Sequence, residues 1–176
     1  MELRLVISDR RRPLLDLWAA VFHDIPSVVF REIEIRALMG LSDIDAVLMM
    51  GIFAHERYGG RPILGQSQIL KGDSRPGSPT WIVTTPSFPA HLEGRSRPTG
   101  KDEFVIVPDK TLSSEEELYV VFKEVFKRIL EFNRGPGNPR IATLGFDLEF
   151  LNIHDGETWR EAGAVHRAYV ECGVEE

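Results

Sequence analysis

Apolar positions recur along this chain with two periods, and the switches between them mark the elements. Leu3 to Ile7 alternates around Arg4 as a short strand. Ser8 or Asp9 can cap the segment that follows, and Pro13 is tolerated there because the first helical turn has no intrahelical partner for its N–H. Leu14, Leu17, Trp18, Val21 and Phe22 then recur every three or four residues, which predicts a helix reaching about His23 with one buried stripe. Beyond Pro26, the partial alternation of Val28, Phe30, Ile33 and Ile35 predicts a second strand, giving a β-α-β opening. Ala46 to Met50 is an unbroken apolar run, the pattern of a central strand covered on both faces.

The second half repeats the logic. Gly65 to Leu70 reads as a short strand, and the turn formers of 71–79 separate it from the β-prone run Thr80 to Thr85, which Pro86 closes. Residues 87–110 read as a long surface loop in which only Phe104 to Val107 has strand character. Ser113 and Glu116 form a capping box ahead of Leu118, Val121, Phe122, Val125, Phe126, Ile129 and Leu130, the clearest amphipathic helix in the chain. Arg140 to Gly145 predicts a last strand, and a final helix spans about Thr158 to Cys172. Strands alternating with helices imply a three-layer α/β/α domain.

Composition narrows the function classes. With 176 residues and 43% hydrophobic content, one core suffices. The formal charge of −6 gives no general attraction to nucleic acid or to an anionic membrane. No apolar run approaches the roughly 20 residues of a membrane helix, and Met1-Glu2-Leu3-Arg4 does not begin a signal peptide, so the expected setting is cytoplasmic. Cys172 is the single cysteine, which rules out an internal disulfide and a Cys-based zinc site.

Candidate chemistry gathers where the run Ala46 to Met50 empties into a glycine-bearing, charged segment, because open α/β sheets bind ligands outside the carboxyl ends of their strands. Gly59-Gly60, flanked by Arg57 and Arg61, reads either as an anion-binding nest or as a plain turn before Pro62. His55 and Glu56 are candidates for acid-base work or for simple solvated loop positions. Phe53 and Phe146 read as rings that stack on a ligand or as packing residues. His91 and His154 belong to other segments expected at the same sheet edge, with Asp147 and Asp155 nearby in the fold. Their spacing lacks any short paired ligand motif, so no metal site and no cofactor is expected. His166 falls on the last helix as a structural histidine, Glu115-Glu116-Glu117 complements a helix N-terminus, and Arg10-Arg11-Arg12 is too short to indicate nucleic acid. No nucleophile-elbow, P-loop or paired-histidine zinc motif occurs.

Taken in order, these pieces resemble a divergent macro domain. Ile44 to Met50 resembles that family's "DA-I-V" strand, and Phe53 with Gly59-Gly60 resembles its first glycine-rich loop. Trp81 to Pro86 resembles the strand ending in "APT", Ile141 to Gly145 the strand entering the second phosphate loop, and Glu161-Ala162 through Ala168-Tyr169 the closing "A…AY" helix. The resemblance implies one domain over 1–176, a three-layer α/β/α sandwich with a mixed central sheet, and a nucleotide-like or ADP-ribose-related small molecule as partner. The expected ligand-binding residues are Glu34 (or Glu32) on adenine, Gly51, Phe53 and Thr85 around the crevice, backbone at Gly59, Gly60 and Gly145 on phosphate, and Phe146 on the distal ribose. A hydrolase of ADP-ribose derivatives would use His55, Glu56 or Asp147 to position water. Two departures stand out. The first loop reads Met49-Met50-Gly51-Ile52 with no asparagine, and Asp147 occupies the place of a phosphate-contacting glycine. A protein that kept the fold and lost the pocket, serving as an interaction module, is the third reading.

Overall fold

In the computed structural model, residues 2–73, 75–86, 115–153 and 159–174 are described. Six strands among them form one mixed sheet: β1 (Arg4–Ser8), β2 (Val28–Arg31), β3 (Ala46–Met49), β4 (Ile69–Lys71), β5 (Trp81–Thr84) and β6 (Thr143–Asp147), in the order β2-β1-β6-β3-β5-β4. All neighbours are parallel except the edge strand β4, which runs antiparallel to β5. The candidate strand Phe104 to Val107, the capping residue Ser113, and His91, His154 and Asp155 lie outside the described residues.

Two-residue alternation along each strand sorts side chains onto two faces. Leu5, Ile7, Ala46, Leu48, Leu144 and Phe146 join one buried cluster with the helices α1 (Arg12–Val21), α4 (Glu115–Arg134) and α5 (Trp159–Val174). Val6, Val47, Met49 and Ile82 join a second, smaller cluster with Leu38 and Ala54 of the short helices α2 (Ile35–Met39) and α3 (Gly51–Tyr58). The architecture is therefore α/β, with helices on both faces of a mixed sheet.

Side-chain anchors fix how the pieces meet. The Tyr169 hydroxyl donates to the Leu3 carbonyl at 2.6 Å, tying α5 to the entry of β1. Asp45, just ahead of β3, accepts from the backbone N–H groups of Ala142 and Thr143 at 2.8 and 2.9 Å and so pins the entry of β6.

Several elements differ from the expected pattern: the strand expected over Gly65 to Leu70 is confined to Ile69–Lys71, and the last strand, expected over Arg140 to Gly145, runs from Thr143 to Asp147. The alternation beyond Val28 ends at Arg31, and Ile35 to Met39 coils into α2. The segment after Met50, expected as a loop, forms α3. Its first residue has to be small, since a Cβ on Gly51 would come within 2.9 Å of the Thr85 carbonyl oxygen.

Candidate functional site

The parallel strands β1 and β6 end side by side, with Ser8 in register with Asp147. Alternation puts both side chains on the face carrying α2, where the Ser8 hydroxyl donates to Asp147 Oδ2 at 2.7 Å. The other carboxylate oxygen of Asp147 accepts the Phe150 backbone N–H at 2.8 Å. Beyond this pair opens a crevice of about 420 Å³, bounded by Arg10 after β1, by Glu34, Ile35 and Arg36 at the start of α2, and by Asp147, Glu149 and Phe150 after β6. This volume falls within the range of small-molecule sites, and the carboxyl edge of a largely parallel sheet is where such sites form.

The charges lining the crevice and just beneath it at Asp9 are unequally satisfied. Arg10 is held by Glu149 through two hydrogen bonds of 2.7 and 2.8 Å. Asp9, whose side chain is fully buried, is neutralised by Arg11, which donates from its backbone N–H, Nε and Nη2. Asp147 has no such cation among the described residues. Burial pushes its carboxyl above the usual carboxylate range, the hydrogen bonds from Phe150 and Ser8 oppose that rise, and the charges of Asp9 and Glu149 add to it. Among the described residues, the Glu34 carboxylate and the Arg36 guanidinium form no hydrogen bond or ion pair with other side chains. Phe150 supplies an aromatic wall, braced edge-on by Phe53 of α3 at 5.2 Å between ring centroids.

Of the residues singled out from sequence, Glu34 and Asp147 line this crevice and Phe53 supports it. The other described candidates fall elsewhere. Phe146, expected on a ligand ribose, is 0% exposed and packs against Phe122 of α4, because the strand alternation that turns Asp147 toward the crevice turns its neighbour into the opposite core. Gly145, expected on phosphate, lies inside β6 between Val6 and Val47, and its missing Cβ makes room for Ile44 and Leu38. Gly51 donates its N–H to Thr85 Oγ1 at 3.1 Å, so these two fasten α3 to the end of β5.

Gly59 and Gly60 terminate α3 with positive φ angles of 85° and 75°. The Gly59 N–H is spent on the His55 carbonyl, and a helix C-terminus carries the negative end of the dipole, so the pair serves as a helix stop. His55 Nδ1 lies 3.0 Å from the Gly59 carbonyl oxygen in the same turn. Glu56 is exposed, and among the described residues neither His55 nor Glu56 hydrogen-bonds to Asp147, so these three candidates do not form one hydrogen-bonded group. No group of three potential metal ligands occurs among the described residues. No described helix is long and apolar enough to cross a membrane.

Ser8, Arg10, Arg36, Glu149 and Phe150 were not expected at a site. The available signal was positional: polar residues close the buried strand β1 and directly follow it, at Ser8-Asp9-Arg10. Comparison with known proteins gives no matching family model and no matching curated relative.

Proposed function

We propose that this protein binds a nucleotide or ADP-ribose-related small molecule in the crevice at the carboxyl ends of β1 and β6, in the manner of a divergent macro domain. One observation carries the reading: among the described residues, a carboxylate without a hydrogen-bonded partner (Glu34), which feels the charge of Arg10, a guanidinium without one (Arg36) and an aromatic wall (Phe150) surround a single crevice of about 420 Å³. In this reading Glu34 accepts a hydrogen bond from the exocyclic amino group of the base, Phe150 packs on the ligand, and Arg36 meets phosphate. The open crevice favours a binding protein over a module without a pocket. The placement of His55 and Glu56 gives turnover no support.

Isothermal titration calorimetry with ADP-ribose tests the proposal. Saturable binding is expected, weakened about tenfold or more by Glu34→Gln, since a hydrogen bond to a charged group contributes about 1.5–3 kcal/mol. Absence of heat at millimolar ADP-ribose would overturn the ADP-ribose assignment.

A further inference from the structure

Within the crevice, Asp147 is the one buried carboxylate that lacks a cation among the described residues, and it is built in from two directions. Ser8 of β1 fixes one oxygen, and the Phe150 N–H of the turn after β6 fixes the other. Each carboxylate oxygen accepts up to two hydrogen bonds, so each retains acceptor capacity while the group is held in one orientation. The charged neighbours are already committed: Asp9 to Arg11 and Glu149 to Arg10. The crevice is also lined by Glu34 and Arg36 of the α2 segment, which among the described residues form no side-chain hydrogen bond or ion pair, although Glu34 feels the charge of Arg10.

A second anion placed at Asp147 would meet a like charge where solvent screening is weakest. A ligand hydroxyl would meet a fixed acceptor. From this geometry we infer that Asp147 is a specificity-determining residue that accepts hydrogen bonds from the hydroxyls of a ribose, while the phosphate of the same ligand lies toward Arg36. This inference rests on the proposed nucleotide-type reading and adds its orientation and sugar preference. A carboxylate that receives ribose hydroxyls at the carboxyl edge of a parallel sheet has a direct precedent in dinucleotide-binding folds. Ser8 is then a positioning residue: it touches Asp147 and keeps its lone pairs aimed at the crevice.

The experiment compares D-ribose 5-phosphate with 2-deoxy-D-ribose 5-phosphate by calorimetry or ligand-observed NMR, with ADP-ribose titrated in parallel. Wild-type protein should bind the ribo sugar about tenfold more tightly, the scale of one hydrogen bond to a charged group. Asp147→Asn, whose amide replaces one acceptor oxygen with a donor, should reduce that ratio to near one, while Arg36→Gln should weaken both sugars equally and leave the ratio standing. Equal binding of the two sugars by wild type, which needs no variant to fold, would overturn the inference, as would an unchanged ratio in folded Asp147→Asn. ADP-ribose binding without sugar discrimination would remove this inference alone. Failure of ADP-ribose and of both sugar phosphates would remove the proposed function along with it.

Discussion

Replacing Phe146 with alanine separates a core residue from a ligand-contacting one. Its ring is 0% exposed, lies 5.1 Å from the Phe122 ring at an interplanar angle of 57°, and belongs to the cluster joining the sheet to α4 and α5. Truncating a buried Phe to Ala costs about 3–5 kcal/mol, from lost transfer energy and the cavity left behind, and the lost aromatic pair favours the upper half of that range. Against a typical stability of about 5–15 kcal/mol, that is a large share. For a domain of this size it lowers the thermal midpoint by about 6–20 °C. Urea titration followed by far-UV circular dichroism measures the loss, and calorimetry at 10 °C measures ADP-ribose affinity on the folded variant. Affinity should stay within about twofold, because a ring on the α4 face reaches nothing in the crevice. A loss below about 1 kcal/mol would refute the buried placement. A tenfold affinity loss in protein that remains folded would return the ring to the ligand. Phe53→Ala is the contrast: the ring is 43% exposed, so the cost should be about 1 kcal/mol or less.

Three further outcomes follow from the same contacts. Gly59 has φ 85° and ψ −157°, a region open essentially to glycine alone, and a Cβ there meets nothing within 4 Å, so Gly59→Ala should cost about 1–3 kcal/mol through backbone strain in a thermal melt, without changing phosphate affinity. Asp147 holds its proton more tightly in the folded chain than in the unfolded one, so wild-type stability should fall as pH rises from the ordinary carboxylate value through its raised folded value. Asp147→Asn should lack that slope, and its advantage in urea midpoint should grow with pH and then level off; a gap that narrows with rising pH would contradict the sign. Asp45→Ala leaves the N–H groups of Ala142 and Thr143 without their carboxylate acceptor and should cost about 2 kcal/mol or more, read by urea titration, with faster amide exchange at both positions.

The amino-acid pattern determined the elements whose signal is local. The expected stripe of α1 buries Leu14, Trp18 and Phe22 and leaves Leu17 and Val21 partly buried, the run Ala46 to Met50 is buried up to Met49, the Thr80 to Thr85 strand buries Ile82 to Thr85, and the α4 stripe is buried from Leu118 to Ile129 with Leu130 partly so. It missed α2 and α3 because a helix of five residues shows little more than one turn of pattern, and α3 fully buries only Gly51 and Ala54. Both short helices are held by what lies across from them, Leu38 against the sheet and Gly51 against the end of β5, and nothing in their own sequence states that. Glu34 and Asp147 were legible as residue types suited to a site, yet their shared crevice was not, since it depends on strand order and on the register of Ser8 with Asp147. Side-chain direction along a strand reverses at every residue, so the face each one takes is fixed only when the strand is paired and packed. That reversal sent Phe146 into the core and Asp147 to the crevice. The chain's own order supplied two adjacent candidates, and tertiary pairing decided which of them a ligand can reach.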